Sequence, residues 1–319
     1  MKKIFLVGTG MVGMSFAYAA LNQNLCDELV LCDINKKRAK GEAQDLNHGL
    51  AFSKTSMKIY QGDYSDCADA GVVVICAGVN QKPDETRLQL LQRNLEIFKS
   101  IVKPIKDSGF DGIIVVATNP VDIMTRITQK LIGFEPHRVI GSGTTLDSAR
   151  LRFLLGKYIG VDPRNIHGYV IGEHGDSEFV PWSQVLVGTK PILDVLEDNP
   201  HFSMKDLEEI QLDVRDAAYE IIEAKGATYY GIGMAICRVV RAIFQDENSI
   251  LTISSKMNGA YGQQDVYVGN PCIINHNGVD RLIELSMTEE ELEKFNNSCN
   301  VLEDIFKDLV FEKNHIRKL

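Results

Sequence analysis

The amino-acid sequence predicts an α/β protein, with a doubly wound parallel sheet in its first half and an α+β arrangement in its second half. Up to Gly141, short and wholly apolar runs rich in β-branched residues alternate with longer helical patterns. Such runs are typical of parallel strands that helices cover on both faces. After Gly141 the alternation stops, and long helices and hairpin patterns follow. We therefore expect two domains, at residues 1–142 and 143–319.

The first half of the chain contains five predicted strands and three predicted helices. The strands are predicted at residues 4–7, 28–32, 58–60, 72–76 and 112–117, and the helices at 11–22, 36–46 and 88–106. Because crossovers between parallel strands are right-handed, successive units of this kind build a doubly wound sheet.

The second half mixes helices with short strands and hairpins. Helices are predicted at residues 144–160, 204–223 and 226–244, and strands at 165–171 and 183–187. Asn258-Gly259 and Asn277-Gly278 are typical hairpin turns. Thr288 and Glu291 form a capping-box pattern at the start of the last helix. The sequence has no repeat or Pro/Gly-rich linker, so we expect the halves to pack closely.

The composition is that of a globular protein. The chain has 319 residues, 45% of them hydrophobic, and a net charge of −9 with its basic residues dispersed. This balance argues against binding to nucleic acid. Seven dispersed cysteines without a C-x-x-C pair predict reduced thiols and no metal site. Glycines interrupt the apolar N-terminal run and no stretch of about 20 apolar residues occurs, so we expect a cytoplasmic protein that no membrane holds.

A glycine motif directly follows the first predicted strand and opens the first helix. It reads Gly8-Thr-Gly10-Met11-Val12-Gly13. In a dinucleotide-binding fold, the three glycines serve in turn a tight turn, the approach of a pyrophosphate and close helix packing. The N-terminus of the helix would also attract the phosphates. The spacing alone fits a turn without ligand equally well, but its context favours a dinucleotide site of the Rossmann type.

Asp33 supports the same interpretation. It follows Gly13 by 20 residues, at the end of the second predicted strand. A carboxylate there accepts hydrogen bonds from a ribose and repels a 2′-phosphate, which favours NAD over NADP. The alternative is that Asp33 only caps the next helix. The neighbouring Lys36, Lys37 and Arg38 temper the preference, and Arg38 is a further candidate for contact with the cofactor.

Polar residues cluster in four segments, at 77–87, 118–122, 146–150 and 172–177. His174 lies between two glycines, and histidine is the side chain best suited to proton transfer near neutral pH. Asp147 could orient the imidazole ring, and Arg150, three residues later, could bind a substrate carboxylate with two hydrogen bonds. Taken singly, these residues also fit a surface histidine and an ordinary ion pair.

Five motifs together resemble the lactate/malate dehydrogenase family over nearly the whole chain. They are NQKPDETRLQL, TNPVD, LDSARLR, IGEHGDS and KGATYYGIG. The resemblance implies that His174 is the general acid/base, that Asp147 orients it and that Arg150 anchors the substrate carboxylate. It also implies that Arg87 polarises the reacting carbonyl from a closing loop.

The same resemblance implies further contacts with substrate and cofactor. Asn119 would hydrogen-bond near both, Thr228 would line the substrate pocket and Ile232 would support the nicotinamide ring. The segment around Ala77, Gly78 and Asn80 would line the cofactor site, although Asn80 replaces an arginine of the animal enzymes. A turn residue at 119 and an ordinary helix residue at 228 remain the alternatives.

Gln81 bears on the choice of substrate. Malate dehydrogenases carry an arginine at the matching position, which pairs with a second substrate carboxylate. A neutral amide would leave that carboxylate of oxaloacetate buried without a cation, at a cost of several kcal/mol. Pyruvate and lactate are therefore the expected pair. Malate or another 2-hydroxy acid, or a non-catalytic NAD-binding role, remain the alternatives.

Regulation and assembly are implied by the resemblance alone. Arg152 and His167 match positions that bind fructose 1,6-bisphosphate between subunits in many bacterial relatives. An arginine and a histidine without a ligand are the equally weighted alternative. The resemblance also implies a homotetramer.

Overall fold

A computed structural model describes residues 2–54, 56–79 and 87–311. In the first half, strands and helices alternate as predicted. They are β1 (Lys3–Val7), α1 (Met11–Asn22), β2 (Glu28–Cys32), α2 (Lys36–Gly49), β3 (Lys58–Gln61), β4 (Val72–Ile75), α3 (Arg87–Asp107), β5 (Ile113–Val116), α4 (Val121–Ile132) and β6 (Val139–Gly141).

The second half adds helices and short antiparallel strands. They are α5 (Thr145–Ile159), β7 (Ile166–His167), β8 (Leu186–Val187), β9 (Lys190–Pro191), α6 (Ile192–Asp198), α7 (Met204–Lys225), α8 (Tyr230–Phe244), β10 (Ser249–Asn258), β11 (Gln264–Asn275), β12 (Gly278–Leu282) and α9 (Glu289–Phe311).

Nine of these strands form one sheet, in the order β12-β11-β10-β6-β5-β4-β1-β2-β3. The six strands of the first half pair in parallel. The last three run antiparallel, and β10 joins β6 through the pair Ser254 and Gly141. A small second sheet has the order β7-β8-β9. The predicted fold class is confirmed.

Alternate residues of β1 face opposite sides of the sheet, as the period of a strand requires. Phe5 and Val7 pack with residues of α3, α4 and α9, whereas Ile4 and Leu6 pack with residues of α1, α2 and α8. All four are buried. Helices therefore cover both faces of the parallel sheet, which explains why its strands read as unbroken apolar runs.

The two predicted hairpin turns and the predicted capping box are confirmed. The hairpins turn near Gly259 and Asn277. Thr288 and Glu291 bond reciprocally through side chain and backbone, at 3.0 and 3.2 Å. All seven cysteines are free. No helix among the described residues is long and apolar enough to cross a membrane.

Other predicted elements differ from the structure. The predicted helix at 226–244 begins only at Tyr230, because Gly226 has a φ of +83° and ends α7. The strand predicted at 183–187 shortens to β8, because Trp182–Gln184 forms a turn of 3-10 helix after Pro181. The strand predicted at 165–171 shortens to β7. Helix α4 and the three-residue β6 were not predicted.

Candidate active site

The glycine turn between β1 and α1 packs tightly against its neighbours. Gly8 has a φ of +99°, and a Cβ atom there would lie 2.6 Å from the backbone nitrogen of Ala77. A Cβ atom on Gly13 would clash with the carbonyl oxygen of Gly8. No atom would come within 4 Å of a Cβ on Gly10. The outer glycines are therefore required by the fold, and the middle one faces open space.

The N-terminus of α1 is open to a ligand. Gly10 is its N-cap residue and supplies no side-chain hydrogen bond to the first turn, while Met11 is 61% exposed and Val12 is half-buried. The first backbone N–H groups of a helix have no partner within the helix and carry a partial positive charge. This end of α1 therefore fits the pyrophosphate of a dinucleotide.

Asp33 is held at the end of β2 by hydrogen bonds from backbone and side chain. Its Oδ2 accepts from the backbone nitrogen and the hydroxyl of Thr9, at 2.7 and 3.0 Å, and its Oδ1 accepts from the nitrogen of Asn35. Burial raises the pKa of Asp33, but these donors outweigh it and lower the pKa below its ordinary value. Asp33 is therefore a fixed carboxylate beside the glycine turn.

The alternative role for Asp33, capping α2, belongs to another residue. The side chain of Asn35 is the N-cap and accepts a hydrogen bond from the backbone nitrogen of Arg38 at 3.0 Å. The Arg38 side chain lies 3.5 Å from Glu42, one turn further along the helix. Its positive charge contributes to lowering the pKa of Asp33.

The loop after β4 lies next to the glycine turn. The carbonyl of Ala77 accepts a hydrogen bond from the Thr118 hydroxyl at 2.8 Å, and a Cβ atom on Gly78 would clash with the Thr118 side chain. Asn119 follows directly after Thr118. Asn80 and Gln81 lie outside the described residues, and so does the side chain of Arg87.

Three of the residues predicted from the sequence meet in the structure, where His174 and Arg150 both contact the carboxylate of Asp147. Asp147 is 1% exposed; its Oδ2 lies 2.7 Å from Nδ1 of His174, and its Oδ1 accepts from Nη1 of Arg150 at 2.7 Å. Helix α5 places Asp147 and Arg150 one turn apart, so both reach the same side. The His174 side chain is 25% exposed.

Two side chains that the sequence analysis did not single out hold the backbone at His174. Its N–H group donates to Oδ2 of Asp122 at 2.9 Å, and the N–H group of Glu173 donates to the hydroxyl of Ser298 at 2.6 Å. Ile171 and Phe179 exchange two backbone hydrogen bonds, which close the loop between them. Asp122 stands within the TNPVD motif, whereas Ser298 is an isolated serine on α9 that carries no sequence signal.

The charges around His174 favour its protonated form. Burial lowers the pKa of the imidazole, but the Asp147 carboxylate outweighs this effect, and the pKa rises to about 9. Burial also opposes ionisation of Asp147, yet the adjacent His174 and Arg150 lower its pKa. For Asp122, burial dominates and raises the pKa to about 6. The carboxylates around His174 therefore favour its cationic form near neutral pH.

A cavity of about 490 Å³ opens at His174. Its walls include Asn119 and His174, together with apolar residues of α3 and α9 such as Leu90 and Ile305. Thr228 lies in the non-helical connector before α8, so its interpretation as an ordinary helix residue is wrong. Ile232 lies on α8 and is partly buried. Within the described part of the chain, neither Thr228 nor Ile232 lines the cavity at His174.

Arg152 lies against the backbone that follows His167, away from this cavity. Nε of Arg152 donates to the carbonyl of Gly168, the residue after His167, at 3.4 Å, and His167 is exposed. A cavity of about 370 Å³ is lined by Arg152, Tyr169 and Arg238. Burial, followed by the charge of Arg238, lowers the pKa of Arg152, although Tyr169 acts in the opposite sense.

A dinucleotide turn beside a buried histidine–aspartate–arginine cluster defines a nicotinamide-dependent oxidoreductase. Residues 2–141 match the family model "lactate/malate dehydrogenase, NAD binding domain", and residues 144–313 match "lactate/malate dehydrogenase, alpha/beta C-terminal domain". The chain belongs to the lactate/malate dehydrogenase family. NAD is its cofactor.

Individual relatives and solved structures agree with this assignment. The chain is 54% identical over 305 residues to an L-lactate dehydrogenase of Geobacillus sp. (strain WCH70), with 96% of each chain covered. It is 52% identical over 303 residues to L-lactate dehydrogenase 1 of Peribacillus psychrosaccharolyticus, with 95% of each covered. A solved structure of MGS-M5, a lactate dehydrogenase enzyme from a Medee basin deep-sea metagenome library, superposes with a TM-score of 0.95 at 55% identity, covering 97% of this chain and 98% of that one.

Proposed function

We propose that this protein is an NAD-dependent L-lactate dehydrogenase that interconverts pyruvate and L-lactate. The observation that carries the proposal is the buried contact of Asp147 with both His174 and Arg150, beside an open cavity. The activity named for relatives of more than 50% identity supports it. Pyruvate reduction regenerates NAD⁺, which is the role of such an enzyme in glycolysis and fermentation.

The residues of the chain divide the reaction between them. The turn at Gly8, Gly10 and Gly13 would hold the pyrophosphate of NADH, and Asp33 its adenosine ribose. Bound NADH supplies the hydride for the carbonyl carbon. His174 uses Nδ1 to hydrogen-bond Asp147, which leaves Nε2 to deliver a proton to the carbonyl oxygen as its negative charge grows.

The substrate would be held by groups around this acid. Arg150 is 14% exposed at its side chain and oriented by Asp147, so it can bind the substrate carboxylate with two hydrogen bonds. Arg87 would stabilise the developing oxyanion. Asn119, Thr228 and Ile232 would complete the contacts with substrate and nicotinamide.

A rate assay of NADH oxidation tests the proposal. We expect rapid turnover with pyruvate and much slower turnover with oxaloacetate or longer 2-keto acids. Gln81→Arg should move the preference towards oxaloacetate, because the new guanidinium pairs with its second carboxylate. An enzyme that prefers oxaloacetate before any substitution would favour malate dehydrogenase. NADH binding without turnover of any keto acid would favour a non-catalytic role.

The effector site and the assembly are also proposals. The proximity of Arg152 to the residue after His167, with Arg238 on the same cavity, supports an anion site for fructose 1,6-bisphosphate. Addition of the bisphosphate should lower the half-saturating pyruvate concentration, and Arg152→Gln should remove the effect. An unchanged value in the unsubstituted enzyme would refute activation. Light scattering tests the homotetramer.

The domain boundary and the cellular location are also proposals. We propose a dinucleotide-binding domain at 1–142 and a substrate domain at 143–319, in a cytoplasmic enzyme. NADH binding by residues 1–142 expressed alone would support this boundary, and cell fractionation tests the location.

A further inference from the structure

Glu178 is a buried carboxyl group beside His174, the proposed acid/base residue. Its Oε2 lies 3.8 Å from Nδ1 of His174, and its side chain is 4% exposed. Backbone hydrogen bonds between Ile171 and Phe179 close the loop that carries both His174 and Glu178. Glu178 follows His174 by four residues, and the closed loop brings the two side chains together. The backbone N–H group of Glu178 donates to the carbonyl of Gly175 at 3.2 Å, which fixes its place in the loop.

The position of Glu178 brings a second carboxyl group close to Asp147. A carboxylate oxygen of Asp147, a ring nitrogen of His174 and a carboxylate oxygen of Glu178 all lie within 4.8 Å of one another. Two ionised carboxylates cannot share a buried site at this distance without a compensating positive charge. Arg150 compensates for Asp147, with which it forms a 2.7 Å ion pair. Only a protonated His174 remains in this cluster to compensate for an ionised Glu178.

We propose that Glu178 is a second positioning carboxyl group for His174, which stabilises the protonated imidazole that reduction of a ketone requires. With Asp147 and Glu178 ionised and Arg150 and His174 positive, the cluster of four side chains is electrically neutral. When His174 loses its proton while Glu178 stays ionised, the cluster keeps one uncompensated negative charge, so an ionised Glu178 opposes that loss. The ionisation of the histidine and of Glu178 is thereby linked.

The surroundings of Glu178 raise its pKa above its ordinary range, so its carboxylate forms, and acts on His174, towards alkaline pH, where the imidazole loses its proton. Burial, and then the charge of Asp147, raise the pKa of Glu178, whereas His174 and Arg150 lower it. The charge of Glu173, in the same loop, also raises the pKa of Glu178. Around His174, the charges of Asp147, Glu178 and Asp122 all raise the pKa of the imidazole.

Neutral variants of Glu178 test the inference, which rests on the proposed function for its kinetic readout. Glu178→Gln preserves size and removes the charge, and Glu178→Met fills the same space with an apolar chain. In both, the alkaline midpoint of kcat/KM for pyruvate reduction should fall by about one pH unit. The midpoint of lactate oxidation, which needs the neutral imidazole, should fall equally and extend oxidation to lower pH.

A second readout does not depend on turnover. In the enzyme without cofactor, the NMR titration of the His174 ring, assigned by loss of its signal in His174→Asn, should show the same downward shift in either Glu178 variant. Glu28→Gln is the matched control, because Glu28 is similarly buried, at 6% exposed, but lies at the opposite end of β2 from Asp33. Its titration should match that of the unsubstituted enzyme.

The possible results distinguish the role of Glu178 from the proposed function of the protein. Unchanged midpoints in both neutral Glu178 variants, or an equal shift in Glu28→Gln, would overturn the role of Glu178. Absence of pyruvate turnover in the unsubstituted enzyme would overturn the proposed function, and the NMR titration would still decide the role of Glu178. If one neutral variant does not fold, the other carries the test.

Discussion

The Nδ1 atom of His174 lies 2.7 Å from Oδ2 of Asp147. The carboxylate accepts a hydrogen bond from the N–H group at Nδ1. The proton that the ring can give to a substrate is therefore the one on Nε2, on the other side of the ring. The same carboxylate is fixed by Arg150 from its other oxygen. One buried group thus positions both the proposed acid, His174, and the proposed substrate anchor, Arg150, and changes to it should affect proton transfer and substrate binding together.

Replacing the acid itself should separate chemistry from cofactor binding. His174→Asn removes the proton donor, and we expect kcat to fall by roughly 10²–10⁴-fold. NADH affinity, measured by fluorescence, should stay within about twofold, because the glycine turn and Asp33 are unchanged. His201→Asn, at an exposed histidine before α7, is the control and should behave as the unsubstituted enzyme. Equal losses of turnover and NADH affinity would contradict the role of His174.

The pH profile should follow the ionisation of His174. Its pKa of about 9 means that pyruvate reduction, which uses the protonated ring, declines as the pH rises through that value. Lactate oxidation uses the neutral ring and should increase over the same interval. Asp147→Asn removes the largest stabilising charge, so the midpoint should fall by at least about one unit. A midpoint that stays near 9 in Asp147→Asn would refute the electrostatic role of Asp147.

Two glycines of the turn should respond to alanine in different ways. Gly13→Ala places a methyl group against the Gly8 carbonyl, and we expect a loss of about 1–3 kcal/mol in the free energy of unfolding. Gly10→Ala faces open space, so its stability should remain close to that of the unsubstituted protein while its NADH affinity falls. Denaturant unfolding and fluorescence titration measure the two effects. Intact NADH binding in Gly10→Ala would argue that the pyrophosphate lies elsewhere.

Asp122 should make stability depend on pH. Burial raises its pKa in the folded protein to about 6, above the ordinary value of an aspartate, so the folded state holds the proton more tightly than the unfolded state. The stabilisation is fully present below about pH 4 and is lost as the pH rises towards 6. Asp122→Asn cannot ionise but still accepts from the His174 N–H group. Relative to the unsubstituted protein, it should therefore gain up to about 3 kcal/mol between pH 4 and pH 8.

Urea unfolding of both proteins at several pH values measures this difference. The stability difference between Asp122→Asn and the unsubstituted protein should change mainly between pH 4 and 6. A difference that is independent of pH would show that Asp122 ionises normally in the folded state.

The sequence predicted the parts of the fold that depend on local pattern. The apolar runs of the parallel strands and the pairing of Thr288 with Glu291 are of this kind, since each depends on residues within a few positions. Strand β6 has only three residues, too few for a periodic signal. The late start of α8 depends on the left-handed conformation of Gly226, which a glycine permits but does not require.

The candidate site shows the same division. His174, Asp147 and Arg150 could be proposed from motifs, because the resemblance to a family supplies their roles. The contact of Ser298 with the loop at 172–178 arises from tertiary packing, since α9 follows the loop by more than a hundred residues. Glu178 lies within the loop, but its approach to His174 depends on the way the loop folds back on itself. No local pattern marks a serine or a glutamate for such a contact.

Gly233 of α8 lies where this helix packs against α1. A Cβ atom at Gly233 would lie 2.8 Å from the backbone nitrogen of Phe16, so α8 meets α1 backbone to backbone, only a few residues from the glycine turn. A dinucleotide bound at the proposed site on α1 would therefore also oppose the separation of α8 from α1. Saturation of that site at 100 times Kd would raise the free energy of unfolding by about 2.7 kcal/mol, and both helices would resist unfolding together.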